Sequence, residues 1–118
     1  MNLLREYIRE LLNENVFDSI ARELGIELRI YGEDRDIITL SKIVVPEELR
    51  GQGMGSKAMK KIIQFADQNN KTIALTPSVA FGGSKSRLIK FYKQFGFVMN
   101  KGRNKNYETQ ELMIREPR

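Results

Sequence analysis

The stretch from residue 37 to about residue 69 constrains the fold most, because it predicts a strand, a tight loop and a helix in immediate succession. Residues 37–45 are mostly β-branched and apolar, and Pro46 then predicts the end of the strand, since proline cannot donate to a sheet ladder. Residues 50–55 read Arg-Gly-Gln-Gly-Met-Gly. From about residue 53 to residue 69, apolar side chains recur at helical spacing, which predicts a helix packed on the sheet.

The glycine-rich loop predicts an anion site. Glycine at positions 51, 53 and 55 lets a ligand approach the backbone without meeting a Cβ atom. The first N–H groups of the following helix have no partner inside the helix, and the helix dipole adds positive charge there. Two nucleotide-binding patterns do not fit. Ser56 stands where the dinucleotide fingerprint needs glycine, and Lys57 is not followed by the Ser or Thr of a P-loop.

The remaining periodicity predicts one α/β domain over residues 1–118, with a mixed, partly antiparallel sheet. The order is α-α-β-β-α-β-α-β-β, and no internal repeat interrupts it. Besides the strand and helix around the loop, helices are predicted over residues 3–12, 16–24 (between Asn15 as N-cap and Gly25 as stop) and 84–95, and strands over residues 26–31, 72–76, 97–99 and 107–114.

Composition narrows the chemistry. The chain has no Cys and no His, which excludes disulfides, Cys nucleophiles, Ser-His-Asp triads and the usual zinc sites, so no metal is expected. It has no apolar run of about 18 residues, so no membrane span is expected. The first residues lack the basic-then-apolar form of a signal peptide, which favours a cytoplasmic setting.

The net charge of +5 is unevenly distributed. Residues 1–36 carry five basic and nine acidic side chains, a net charge of −4, whereas residues 68–107 carry eight basic side chains and no acidic one. An acid-free stretch of this length favours a polyanionic partner, and both a phosphorylated cofactor and a nucleic acid fit. The alternative is a solvated basic face without a partner.

A second motif lies some forty residues after the glycine loop. Tyr92, Gly96 and Phe97 form the pattern Tyr-x-x-x-Gly-Phe at the end of a predicted helix. Taken alone, the tyrosine fits a packed core, because it belongs to an apolar stripe at helical spacing. That stripe consists of Leu88, Phe91, Tyr92 and Phe95.

Together the two motifs resemble the GNAT superfamily of acyl-CoA N-acetyltransferases over approximately residues 37–98. The family's loop pattern is Gln or Arg, two residues, Gly, one residue, then Gly or Ala, matched here at Arg50, Gly53 and Gly55. The resemblance implies a GNAT fold, truncated at its N-terminal side, with acetyl-CoA as cosubstrate. It also implies acetyl transfer to a primary amine by direct attack in a ternary complex.

The resemblance further implies roles for individual residues. Tyr92 would protonate the departing CoA thiolate, for which an ordinary tyrosine pKa of about 10 is suitable. The loop amides would hold the pyrophosphate, and the strand before the loop would pair with the pantetheine arm. The implied cofactor-binding residues are Ile43, Val44, Val45, Arg50, Gly51, Gln52, Gly53, Met54, Gly55, Ser56, Ser84 and Lys85.

Several positions depart from the family pattern. Lys85, flanked by serines, stands where the family usually has Asn, and Ser41 stands where many members have Glu, so the general base is unassigned. The short N-terminal segment implies an acceptor side that is either open or completed by a partner, and the family often dimerises, so a homodimer is one expectation. The chain resembles short GNAT proteins of tailed phages, which would place it in the host cytoplasm.

Two other functions stay open. One is a non-catalytic CoA-binding or assembly module, since a fold does not fix a function, with the helix at residues 3–12 docking to a larger assembly. The other is nucleic-acid binding through residues 85–105. It ranks lower because Tyr92, Phe95 and Phe97 are expected to be buried and so not available for stacking on bases. The sequence does not name the amine acceptor.

Overall fold

The computed structural model describes residues 16–32, 35–78 and 84–118, and within these ranges it contains three α-helices and five strands. The predicted helix at residues 3–12 and the predicted cap Asn15 lie outside the described residues. No helix within the described ranges has the length and apolar character needed to cross a bilayer. The elements are α1 (Val16–Leu24), β1 (Glu27–Tyr31), β2 (Ile37–Val44), α2 (Met54–Gln68), β3 (Thr72–Leu75), α3 (Lys85–Lys93), β4 (Val98–Met99) and β5 (Met113–Arg115), with short 3-10 helices at Glu47–Leu49 and Gly102–Asn104.

The five strands form one mixed sheet in the order β1-β2-β3-β5-β4. Only β2 and β3 run parallel, and the other neighbours are antiparallel. Parallel neighbours need a long crossover, which α2 provides here. The prediction of an α/β chain with a partly antiparallel sheet is therefore confirmed.

The core is built from alternating side chains of the central strands. Ile38 and Leu40 of β2 pair in register with Ile73 and Leu75 of β3, and all four are buried. The helices add their apolar stripes to the same cluster, which includes Phe17 and Ile20 of α1, Met59, Ile62 and Ala66 of α2, and Tyr92 of α3.

The end of α1 shows how the sequence stops a helix and starts a strand. Gly25 has a φ of 68°, in the left-handed region, and its N–H donates to Arg22 O at 3.3 Å. The N–H of Ile26 donates to Ala21 O at 3.0 Å, which completes a Schellman motif. The predicted stop at Gly25 is thus confirmed, and the chain enters β1 two residues later.

The predicted strand over residues 107–114 is wrong except at its end. Residues 107 and 108 form a turn, and β5 begins only at Met113. The reason is the buried side chain of Asn100, whose Nδ2 donates to the backbone oxygens of Asn106, Thr109 and Glu111 at 3.4, 3.2 and 3.0 Å. These carbonyls accept from a side chain instead of a neighbouring strand, so the segment folds as a loop.

A buried ion pair joins α2 to β5. Arg115 is 5% exposed, and its Nη1 and Nη2 donate to Asp67 Oδ1 and Oδ2 at 2.7 and 3.2 Å. Its Nε donates to Phe95 O at 2.7 Å, just after α3. The hydrogen bond from Arg115 lowers the pKa of the Asp67 carboxyl below its ordinary value of 3.8, while burial acts in the opposite direction. This pair ties two helices to an inner strand of the sheet.

Candidate active site

The two parallel strands separate at their C-terminal ends. β3 pairs with β2 only as far as Leu40 and Leu75, while β2 continues to Val44 alongside β1. The β1–β2 register shifts at this point: Arg29 is opposite Lys42, but Ile30 is opposite Leu40. Ser41 is therefore an extra residue, a β-bulge, and bulges bend the strand that contains them. The bulge lies where β2 and β3 cease to pair, so it opens a gap between them.

A cavity of about 110 Å³ lies at this gap. The lining brings the predicted residues Ile43 and Tyr92 together, and it adds Lys42, whose Nζ pairs with Glu27 Oε1 at 3.1 Å. The lining residues are Leu40, Ser41, Lys42, Ile43, Leu75, Thr76, Ser78, Leu88 and Tyr92.

Tyr92 belongs both to the core and to the cavity wall. Only 6% of it is exposed, and its ring packs edge-on against Phe91 and Phe97 with centroids 5.2 and 5.7 Å away. Burial raises the pKa of the Tyr92 hydroxyl, so the group stays protonated at neutral pH. The hydroxyl forms no hydrogen bond with the described residues. Every fully buried side-chain polar atom of these residues has a hydrogen-bond partner, so the Tyr92 hydroxyl is accessible and open to the cavity.

The glycine loop forms a second, shallow cavity of about 210 Å³. Gly51 and Gly53 have φ values of 81° and 74°, which disfavour any residue with a Cβ atom. A Cβ added at either position would meet no atom within 4 Å, so both backbones face open space. The lining residues are Val45, Leu49, Arg50, Gly51, Gly53, Met54, Gly55, Ser56 and Phe91.

The backbone N–H groups of this loop are available to a ligand. No side chain caps α2, and the backbone N–H groups of residues 51–56 find no acceptor within the described part of the chain. The first turn of α2 contains no acidic residue. The side chains of Arg50 and Gln52 instead hold the loop in shape, because they donate to Val45 O and Glu48 O at 3.2 and 3.3 Å. Orphan amides at a helix N-terminus attract anions, phosphates in particular.

A family model described as an acetyltransferase (GNAT) domain matches residues 13–99. The match covers most of the 118 residues and includes the glycine loop, the strand gap and Tyr92. The chain belongs to the GNAT acetyltransferase family. No curated protein matches it in a sequence comparison. As a GNAT domain, the chain belongs to a group whose general chemistry is acyl transfer, with acetyl-CoA as the usual donor.

Two of the basic residues of the GNAT domain's α3, Lys85 and Arg87, lie near its exposed start, whereas Lys90 and Lys93 lie in its last turn. Ser84 is the N-cap residue, but its side chain makes no capping hydrogen bond. Ser84, Lys85 and Arg87 are all exposed. Further along the helix, Phe91 lines the glycine-loop cavity and Tyr92 lines the strand-gap cavity, so α3 borders both.

Sequence reasoning missed one polar pair at the strand gap. Thr76 follows β3 and lines the cavity, and its Oγ1 donates a hydrogen bond to Glu111 Oε2 and accepts one from Leu112 N at 3.1 Å. The two side chains are 35 residues apart in the chain, and Glu111 falls in the segment wrongly predicted as a strand. No local sequence signal could have joined them.

Within the described ranges, no group of three or more His, Cys, Asp or Glu side chains is arranged to hold a metal ion. A larger groove of about 700 Å³ lies at the start of β2, lined by Tyr31, Asp36 and Glu108 among others. The titratable side chains of this groove are exposed, whereas Tyr92 in the smaller cavity is buried.

Proposed function

We propose that this GNAT domain is an acetyl-CoA-dependent N-acetyltransferase, which passes the acetyl group to a primary amine within a ternary complex. One observation carries the proposal: the loop with orphan amides and the cavity with Tyr92 are adjacent. Phe91 lines the first and Tyr92 lines the second, while Val45, the residue after β2, lines the first and Ile43 of β2 lines the second. This arrangement suits one extended ligand with phosphates at one end and a reactive group at the other.

The chain's own groups account for binding along that path. The backbone N–H groups of residues 51–56 would hold the pyrophosphate, since charge-assisted bonds from a helix N-terminus are strong. Residues 43–45, which are the end of β2 and the residue after it, would pair with the amides of the pantetheine arm. Ser84 and Lys85, together with Arg87 and Lys90, would meet phosphate groups at the outer end.

Chemistry would take place at the strand gap. Acetyl-CoA supplies an activated acetyl thioester. A backbone N–H at Ile43 or Val44 would polarise the thioester carbonyl, as an oxyanion donor does. Tyr92 would donate its hydroxyl proton to the sulfur, and burial suits it to this role because the group is held in its protonated form.

The test is calorimetric titration with acetyl-CoA and with CoA, followed by thiol release in the presence of primary amines. Binding together with amine-dependent thiol release is the expected result. No binding at millimolar ligand would refute the transferase function. Binding without turnover of any amine would favour the alternative, a CoA-binding or assembly module on the same fold, which the serine at the usual carboxylate position 41 also suits.

A further inference from the structure

We propose that Glu111 is the general base of this site, and that the acceptor is an alkyl amine presented as its ammonium ion. The inference rests on the proposed transferase function. It answers the question raised by Ser41, which leaves the bulged position of β2 without a carboxylate. Three observations support the inference: the contacts of the Glu111 carboxylate, the contacts of the Glu111 backbone, and the charges around the cavity.

The carboxylate is fixed one hydrogen bond from the cavity wall. Thr76 lines the cavity at the end of β3, and its hydroxyl donates to Glu111 Oε2. The same hydroxyl accepts from Leu112 N at 3.1 Å, so its own proton is directed to the carboxylate. A carboxylate held in this way retains its second oxygen for another donor, such as an ammonium group.

The backbone of Glu111 is fixed as well. Its N–H donates to Thr109 Oγ1 at 3.2 Å, and its C=O accepts from the buried Asn100 Nδ2 at 3.0 Å. Three separate contacts therefore position one acidic residue in a segment that has no regular secondary structure. Catalytic groups need such pre-organisation, because a small displacement costs much of the rate.

The other charged groups at the cavity do not compete for this role. On β2, Lys42 lines the cavity and pairs with Glu27 of β1, which places that carboxylate in an ion pair. On α3, Tyr92 is held protonated by burial. Among the described groups that contact the cavity lining, Glu111 is thus the carboxylate placed to attract a cation.

Glu111 and Tyr92 together account for the protons that move during acetyl transfer. An alkyl ammonium, with a pKa of about 10.4 in a lysine side chain, must lose a proton before its nitrogen can attack. Glu111 takes that proton and passes it to solvent. As the nitrogen–carbon bond forms, a second proton moves from nitrogen to Glu111, which then releases it to solvent. The carbon–sulfur bond breaks with its electron pair on sulfur, which takes the Tyr92 proton, and solvent reprotonates Tyr92. The products are an amide, a thiol and one released proton.

The test compares Glu111→Gln with Glu116→Gln. Glutamine retains an oxygen that accepts from Thr76, and the control removes the same charge just beyond the other end of β5. The probes are N-α-acetyl-lysine amide, an ammonium at neutral pH, and aniline, which is neutral there. With the lysine probe, Glu111→Gln should lower kcat/KM about 100-fold at pH 7, the scale of general-base catalysis, whereas Glu116→Gln should leave it unchanged.

The pH dependence separates a base from a structural residue. The deficit of Glu111→Gln should shrink from pH 7 to pH 10, because the free amine becomes abundant without a base, and the Kd for acetyl-CoA should not change. Full activity of Glu111→Gln, or a loss of kcat/KM that stays constant with pH, overturns only the proposed role of Glu111 and leaves the transferase function standing. Wild-type turnover of aniline but not of the lysine probe overturns the ammonium acceptor. Turnover of neither probe overturns the transferase function together with this role.

Discussion

The two ends of β3 differ in almost every physical respect. Beside its first residues, Ile73 pairs with the buried Arg115, which meets the carboxylate of Asp67 through two hydrogen bonds. Beyond its last residue, the neighbouring β2 bulges at Ser41 and the two parallel strands cease to pair. One end is closed by paired charges, and the other opens into a cavity. The strand between them is only four residues long.

This difference shows how a small domain can separate stability from function. At the closed end, backbone and side-chain polar groups are paired, and the helices are tied to the sheet. At the open end, the amides of the glycine loop and the hydroxyl of Tyr92 are left for a ligand. Groups without partners cost stability, so a chain that exposes them in one place must compensate elsewhere.

The sharpest test of the open end is Gly53→Arg. The arginine would occupy the open space that faces the amides, and losing two charge-assisted hydrogen bonds of roughly 2 kcal/mol each should weaken acetyl-CoA binding about 1,000-fold. The matched control is Gly102→Arg, because Gly102 also has a positive φ, 59°, and open space around it. Calorimetry on both variants checks this. Equal weakening in both would mean that the loop is not the cofactor site.

Substitutions at the closed end should change the free energy of unfolding and not the affinity for acetyl-CoA. In Arg115→Ala, Asp67 and Phe95 O lose their buried partner, which should lower the free energy of unfolding by about 3 kcal/mol. Arg103→Ala, at an exposed position, should change it by less than about 0.5 kcal/mol. Urea unfolding measures both. If folded Arg115→Ala bound acetyl-CoA much more weakly than the wild type, the two ends would be coupled and the comparison would fail.

Tyr92→Phe should separate the two roles of one side chain. The ring still fills the core, while the hydroxyl that would protonate the thiolate is lost, so kcat should fall about 100-fold with little loss of stability. Tyr107→Phe is the control, since Tyr107 is 87% exposed and outside the cavity lining. Thiol release and urea unfolding are the measurements. A large loss of stability in Tyr92→Phe would show that its hydroxyl belongs to the closed, structural part of the molecule.

The open end was more predictable from the sequence than the closed one. The glycine loop and Tyr92 are local patterns, in which spacing alone places backbone amides at a helix N-terminus and a ring on a helix face. Most strands and helices followed from periodicity to within one or two residues, as for β2, predicted over 37–45 and found at Ile37–Val44. Local signals are informative when one segment determines the outcome by itself.

The rest depends on contacts between distant residues. Arg115 and Asp67 are 48 residues apart, and Glu111 and Thr76 are 35 apart, so no window of sequence contains either pair. The strand predicted over 107–114 failed because Asn100, outside that segment, binds the backbone carbonyls of Thr109 and Glu111 within it and that of Asn106 just before it. The bulge at Ser41 contains no glycine that would indicate its position in the sequence. In the 107–114 segment, side-chain hydrogen bonds from Asn100 overrode the local propensity for a strand.

The smallest expected effect is the loss, at low pH, of the stability that the charge of Asp67 gives to the closed end. Arg115 lowers the pKa of Asp67 in the folded state, so the ionised carboxylate stabilises the fold above its unfolded pKa of about 3.8, and this contribution is lost as pH falls through the lowered folded value. The asparagine side chain of Asp67→Asn does not titrate, so this variant lacks the pH-dependent contribution. The difference in unfolding free energy between wild type and Asp67→Asn should therefore be largest near pH 7 and should shrink towards pH 2.5 in urea titrations. A difference that stays constant over this range would mean that Asp67 stabilises the closed end through shape and hydrogen bonding and not through its charge.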